Sequence, residues 1–235
     1  MPEGPEIRRA ADTIAAALVD REITSARFGL PRLRRYARSF VGHRVIDIET
    51  RGKAMLTHFD HGQSIYSHNQ LYGVWRVVAG HRLPETNRSL RLLLQTETHS
   101  AILYSASDIS VWQTEQLAAH PFLSRLGPDI MDPGLTWRDV SLRLAEQPFS
   151  ERELAALYLD QAFLAGNGNY LRSEILFAAG LHPGSRPQDL PLRTRNRLAR
   201  QTLLTAHRAY ATGGVTNPEA RVAALKSQGV GRAGY

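Results

Sequence analysis

The chain has 235 residues, no cysteine and a formal charge of +7, which excludes disulfides, thiolate metal sites and a cysteine nucleophile and points to a polyanionic partner, most simply nucleic acid. No secretion-signal core opens it and no apolar run approaches the roughly 18 residues of a membrane span, so a cytoplasmic protein of one large or two modest domains is expected.

The first element is preceded by "MPEGPE". Methionine is normally removed before a small residue, which would leave Pro2 as a free secondary amine. An α-amino group near pKa 8 is unprotonated at neutral pH far more often than a lysine near 10.4, and a secondary amine attacking an aldehyde carbon yields an iminium directly. Glu3 beside it could move the protons such chemistry needs. The same residues also suit a polar cap ahead of a helix, and on their own they favour that plainer reading. The helix itself follows in "EIRRAADTIAAALVD", with Ile7, Ala10, Ala11, Ile14, Ala17 and Leu18 at helical spacing.

From "ITSARFGL" to "AILYSASD" the apolar period becomes two, and runs such as "RVIDIET", "AMLTHFD", "QSIYSHNQ", "GVWRVV" and "SLRLLLQT" predict an antiparallel sandwich or barrel. Within it, "TRGKAMLTHF" holds Lys53. Only Lys53 and Lys226 are lysine among 29 basic residues, so Lys53 marks a place where a compact, titratable charge is wanted and arginine will not serve. The triplet Gln70, Leu71 and Tyr72 falls at a turn between strands. Exposed together, these side chains suit a wedge that fills the gap left by an extruded nucleotide; taken alone, the residues favour packing inside the sandwich. His58, His61 and His68 lack metal-ligand spacing, and strand alternation sends His58 and His61 to opposite faces, so no metal is expected there.

"LGPDIMDPG", residues 126–134, is the expected linker between an N-terminal domain at 1–125 and a C-terminal one at 135–235. Helices are then predicted in "TWRDVSLRLAEQ", with Thr136 as N-cap, and in "ERELAALYLDQAFLA", "NYLRSEILFAAG" and "PLRTRNRLARQTLLTAHRAYA". The "GNGN" turn, which ends in Asn169, permits a tight reversal between two helical segments, and the amides of "NGNY" could face a bound anion, with the Asn169 side chain adding a donor. A helical hairpin without a ligand is equally ordinary.

Five stretches in this order, "MPEGPEIRRAA", "TRGKAMLTHF", "IYSHNQLYGVWRV", "LYSASDI" and "LDQAFLAGNGNYLRSEIL", make the chain similar to the Fpg/Nei family of DNA glycosylases over nearly its whole length. Gly4, Ile7 and the "QLY" triplet place the resemblance in the endonuclease VIII branch. The resemblance implies an α+β multidomain fold: an N-terminal antiparallel β-sandwich with a leading helix, then a helix-two-turn-helix domain, with double-stranded damaged DNA across a cleft. It implies that Pro2 is the Schiff-base nucleophile, Glu3 the proton donor and acceptor, and Lys53 a phosphate contact and proton donor for elimination. Gln70, Leu71 and Tyr72 become the void-filling wedge and Asn169 a phosphate ligand. A monomeric glycosylase and abasic-site lyase removing oxidised pyrimidines is the expected function. The rivals are an oxidised-purine glycosylase of the formamidopyrimidine type and a damage-binding protein without catalysis. The branch also implies a C-terminal four-cysteine zinc finger; these cysteine-free 235 residues do not contain it, so no cofactor is expected in this chain.

Overall fold

The computed structural model describes residues 2–232. Two compact units divide the chain, one formed by Pro2 and Ile7–Arg125, the other by Glu3–Glu6 and the residues from Leu126 onward. Helix α1 (Gly4–Leu18) buries Ile7, Ala11, Ile14, Ala17 and Leu18, the stripe that its spacing predicts.

In the first unit, β1 (Ser25–Phe28), β2 (Val45–Arg51), β3 (Ala54–Phe59), β4 (Gln63–His68), β5 (Val74–Ala79), β6 (Leu90–Gln95), β7 (His99–Tyr104) and β8 (Asp108–Gln113) form two antiparallel four-stranded sheets, ordered β1-β6-β7-β5 and β2-β3-β4-β8. A short helix, α2 (Ala37–Phe40), lies between β1 and β2. Alternation sorts the strand residues. Met55, Phe59, Ile65 and Ile109 of one sheet share a core with Phe28, Leu92, Leu94, Ala101 and Leu103 of the other and with α1. The intervening Leu56 and Tyr66 turn to the outer face, where Leu117, Phe122 and Leu123 cover them. That second cover explains why β3 is buried at every position, with apolar Met55 facing one side and Leu56 the other. Strand β8 lies beyond the predicted sandwich and completes its sheet by pairing with β4 from Gln63↔Gln113 to His68↔Asp108.

In the second unit, α3 (Trp137–Arg143), α4 (Leu154–Leu157), α5 (Asn169–Ala179), α6 (Leu192–Thr212) and α7 (Glu219–Ser227) follow. Val140, Leu154, Tyr158, Phe163, Ile175 and Leu198 belong to one core. Thr136 caps α3 as expected, its side chain accepting from the Asp139 amide while Asp139 accepts from the Thr136 amide. Residues 126–134, read as a linker, are built into this unit: the Gly127 amide donates to Gln161 O, the Ile130 amide to Ala165 O and the Ala165 amide to Pro128 O, and Ile130 is buried.

The helix predicted over residues 151–165 is largely replaced by turns, leaving only the four residues of α4. The Asp160 carboxylate accepts the Ala162 amide at 2.8 Å, closing a turn that competes with the helix. The Arg143 guanidinium then donates to the carbonyls of Phe163 at 2.6 Å and Ala162 at 2.7 Å, replacing the helical bonds they would have made. Helix α7 carries no apolar stripe and buries only Leu225, which is why periodicity did not predict it.

Candidate active site

In the second unit the site is built on a buried carboxylate. Glu3 is 2% exposed, and its Oε1 and Oε2 accept the amides of Tyr170 at 3.0 Å and Leu171 at 3.2 Å. These are the second and third residues of α5, whose N-terminal N–H groups have no partner within the helix. The preceding residue, Gly168, has no side chain to cap them, so Glu3 does so from 167 positions away in sequence. A Cβ at Gly168 would lie 2.3 Å from both the Glu3 carboxyl carbon and Oε1, so the glycine is required for room. Two amides and the positive end of a helix offset the cost of burying a carboxylate. Glu6 closes the other side, accepting the Glu3 amide at 2.9 Å and the Tyr170 hydroxyl at 2.8 Å. Burial, reinforced by Glu6, pushes the Tyr170 hydroxyl far above the usual tyrosine range, so it stays a neutral donor.

This arrangement revises one expectation. Of the "NGNY" amides that of Tyr170 faces an anion, together with the next one, of Leu171, but the anion is the chain's own Glu3. Asn169 is exposed at the first turn of α5, and its Oδ1 accepts from Arg172 at 2.6 Å; its amide NH₂ is the group that can serve a phosphate.

In the first unit, Pro2 is half-buried; Met1, whose removal would free its nitrogen, lies outside the described residues. Lys53 sits in the β2–β3 turn and is 8% exposed. The next residue, Ala54, pairs with His68, and His68 with Asp108, so the sheet register brings an ammonium, an imidazole and a carboxylate to one end of three strands. Burial lowers the His68 pKa and the Lys53 charge lowers it further, against the pull of Asp108. His68 Nδ1 accepts the Gln70 amide at 3.0 Å, which fixes the neutral ring with its proton on Nε2. Asp108 also accepts the Tyr66 hydroxyl at 3.3 Å.

The bond from the Gln70 amide to His68 Nδ1 anchors the turn carrying the triplet. Gln70 adopts φ 51, its side-chain oxygen accepts from the Ser107 hydroxyl at 2.7 Å, and the Tyr72 carbonyl accepts from Arg88 at 2.9 Å. With the backbone so held, Leu71 is 59% exposed and Tyr72 69%. The reading in which these two pack inside the sandwich is therefore wrong: an exposed leucine and tyrosine on a braced turn have no folding role that burial could reward.

The three histidines set aside as metal ligands do not converge. His58 bonds the Ser64 hydroxyl at 2.8 Å, His68 faces Lys53 and Asp108, and His61 lies at the far end of β3. What the sequence did not reveal is the bracing: His68, Asp108 and Ser107 under the triplet, and the α5 amides under Glu3. "LYSASDI" holds two of them, Ser107 and Asp108, 35 or more residues beyond the triplet that they brace.

Residues 1–107 match the family described as the formamidopyrimidine-DNA glycosylase N-terminal domain. The chain is 51% identical over 214 residues to Endonuclease 8 of Shigella flexneri, covering 91% of this chain and 81% of that protein. It is 48% identical over 225 residues to Endonuclease 8 of Enterobacter sp. (strain 638), covering 96% and 86%. Among solved structures, the fold is similar to Lactococcus lactis Fpg (MutM) in complex with DNA containing an oxidized pyrimidine, with TM-score 0.78 at 19% identity over 94% of this chain and 86% of that one. The complex of the same protein with DNA containing N7-benzyl-Fapy-dG gives TM-score 0.77 at 19% identity over 93% and 82%.

Proposed function

This chain belongs to the family of endonuclease 8 and the formamidopyrimidine-DNA glycosylases, and from that membership we propose that it is a bifunctional DNA glycosylase and abasic-site lyase of base excision repair, acting on oxidised pyrimidines in duplex DNA. The observation that carries the reading is the Glu3 carboxylate, locked on the first amides of α5 and next in sequence to Pro2.

The Pro2 nitrogen, free once Met1 is removed, adds to C1′ of the damaged nucleotide as the C1′–base bond breaks. The base leaves with a proton, the sugar ring opens, and the secondary amine becomes a charged iminium. The iminium draws electrons from the neighbouring C2′–H bond, so proton loss there expels the 3′ phosphate; loss of a second proton expels the 5′ phosphate. Glu3 supplies and collects these protons, and its fixed geometry spares the reorganisation that a mobile carboxylate would need. Lys53 holds a phosphate beside the lesion and donates a proton during elimination. Leu71 and Tyr72 fill the space that the extruded nucleotide vacates, with Gln70 bonding the orphaned base, and Asn169 binds a backbone phosphate. The four-cysteine zinc site of the branch does not fit these residues, which include no cysteine, and no step runs through it. A monomer acting on chromosomal DNA in the bacterial cytoplasm completes the proposal; among the described residues no helix is long and apolar enough to cross a membrane.

The test is borohydride trapping on an abasic oligonucleotide, followed by a panel of duplexes with oxidised pyrimidines or purines. A covalent adduct that requires a processed N-terminus, and base release that favours pyrimidine over purine lesions, are expected. Equal trapping by a chain whose N-terminus is blocked would dismiss Pro2, and a preference for purine lesions would move the chain to the formamidopyrimidine type.

A further inference from the structure

At the end of the β2–β3 hairpin opposite Lys53, three side chains remain that the proposed chemistry does not use. His43 precedes β2, and Asp60 and His61 follow β3, so the pairing of Val45 with Phe59 brings them together. One ligand atom from each lies within 4.8 Å of the others. His43 Nδ1 is 2.9 Å from Asp60 Oδ1, and His61 Nδ1 is 3.8 Å from the same oxygen. Tetrahedral ligands at about 2.05 Å from a zinc ion are separated by roughly 3.3 Å, so these spacings straddle what a metal needs.

The state of His61 supplies an independent argument. Its Nε2 lies 3.0 Å from Gln63 Oε1, an oxygen that also receives the Ser39 hydroxyl at 3.4 Å. An amide oxygen only accepts, so Nε2 carries the ring proton and Nδ1 presents a bare lone pair. That Nδ1 is buried and makes no hydrogen bond. A buried acceptor left in this way is costly. The ring is fixed by Phe40 at 5.4 Å and Phe59 at 5.7 Å between centroids, and by His43 at 4.1 Å. An imidazole whose outer N–H is tied to an oxygen acceptor while its inner nitrogen faces a carboxylate is the arrangement that metal-ligating histidines adopt.

We infer that His43, Asp60 and His61 bind a divalent cation of the zinc class, with solvent as the remaining ligand. The cation takes the place of the proton between His43 and Asp60, and the neutral His43 ring carries its proton on Nε2 instead. Two imidazoles and one carboxylate suit zinc, cobalt, nickel or copper and disfavour magnesium and calcium. Strand β3 spans six residues, about 20 Å at 3.3 Å each, so the cation lies far from the Lys53 turn and acts as a clip joining the two ends of the hairpin.

The experiment uses the full chain without a histidine tag and with Zn²⁺ or Co²⁺ as the probe, in calorimetry and visible absorption at pH 7.5. One equivalent should bind, and saturating zinc should raise the Tm by about 5 °C. His61→Ala and Asp60→Asn should each weaken binding at least about tenfold and remove the Tm shift. Gln63→Leu, which touches no ligand atom but removes the acceptor for Nε2–H, should weaken it about 10–100-fold. His207→Gln, a surface histidine on α6, should change nothing. Absence of stoichiometric binding, or binding indifferent to both His61→Ala and Asp60→Asn, would overturn the site. Asp60 is exposed, so its variant stays informative if His61→Ala fails to fold. Lyase activity measured with and without chelator keeps this outcome separate from that of the proposed glycosylase.

Discussion

Glu3→Gln preserves the size of the side chain but turns one acceptor oxygen into a donor that faces an amide N–H. Base removal needs the proton traffic and should fall by about 10²–10⁴, while strand cleavage at a pre-formed abasic site, where the base has already left, should fall less. Because one charge-assisted hydrogen bond is lost inside the second unit, stability should drop by about 1.5–3 kcal/mol. Gly168→Ala separates geometry from charge. Gly168 has an extended backbone that alanine tolerates, yet the added Cβ would sit 2.3 Å from the Glu3 carboxyl. Single-turnover base release from this variant should therefore fall as far as in Glu3→Gln with the carboxylate still present; unchanged release would show that the α5 anchor is dispensable. Pro2, Glu3 and Lys53 are proposed from a secondary amine, an adjacent acid and one of two lysines among 29 basic residues, but Pro2 and Glu3 by themselves favour a plain helix cap, and it is the family resemblance that gives them their roles. The Glu3 anchor was not legible in the sequence, since it joins residues 167 positions apart and local reasoning sees only an uncapped helix start after a glycine.

At the scale of elements, the β4–β5 turn links a titrating group to an exposed triplet. Leu71 is mostly in solvent, so Leu71→Ala should change stability by less than about 0.5 kcal/mol. It should still slow base removal from paired lesions more than from mismatched or single-stranded ones, whose extrusion costs less; a lowered Tm with an unchanged substrate ratio would return Leu71 to a packing role. The bracing of the turn depends on pH. His68 has a folded pKa below its ordinary 6.5, so the folded protein binds fewer protons than the unfolded chain once the pH drops under that value. Stability of the first unit should be level above about 6.5 and fall as the pH descends toward the folded pKa, and protonation of Nδ1 also breaks its bond to the Gln70 amide. Denaturant melts at pH 7.5 and 5.5 should show a smaller loss in His68→Gln than in the original chain. The strands were readable because their alternation is regular; β8 has the same alternation in Ile109 and Val111, but only Ile109 of these is buried, so its apolar signal is weaker. The helix expected at 151–165 failed for a different reason: its composition favours a helix, but Asp160 and Arg143 satisfy the backbone in another way. Arg143→Met should therefore cost about 2–3 kcal/mol, because it strands two carbonyls.

At the scale of the whole molecule, the proposed reacting groups are divided between two parts of the sequence. Pro2, Lys53 and the triplet belong to the first unit, and Glu3 and Asn169 to the second, so a sequence reading that places Glu3 with Pro2 in a domain of residues 1–125 misses that Glu3 is held by α5. The fold class was legible at this scale because a change of apolar period from two to 3.6 is a global signal, whereas that exchange of one short segment is a matter of tertiary contacts. The family resemblance implies a further arm, a zinc finger that carries an arginine to the phosphate of the extruded nucleotide, which cysteine-free residues cannot form. A polypeptide limited to these 235 residues, as distinct from a longer chain that carries such an arm, lacks one charge-assisted contact, on the order of 1.5–3 kcal/mol, and its binding should depend on salt with a slope shallower by about one phosphate. Extrusion of a paired base draws on that contact, because the nucleotide must be held against restacking. Attack on an abasic aldehyde, with no base to extrude, draws on it much less. The 235-residue polypeptide should accordingly keep abasic lyase activity and lose most base removal from paired oxidised pyrimidines, and fusing a finger from a relative should restore the second more than the first. Both rates are measurable on matched oligonucleotides; an equal deficit in the two, or no recovery on fusion, would show that extrusion rests on Leu71, Tyr72 and Asn169 alone.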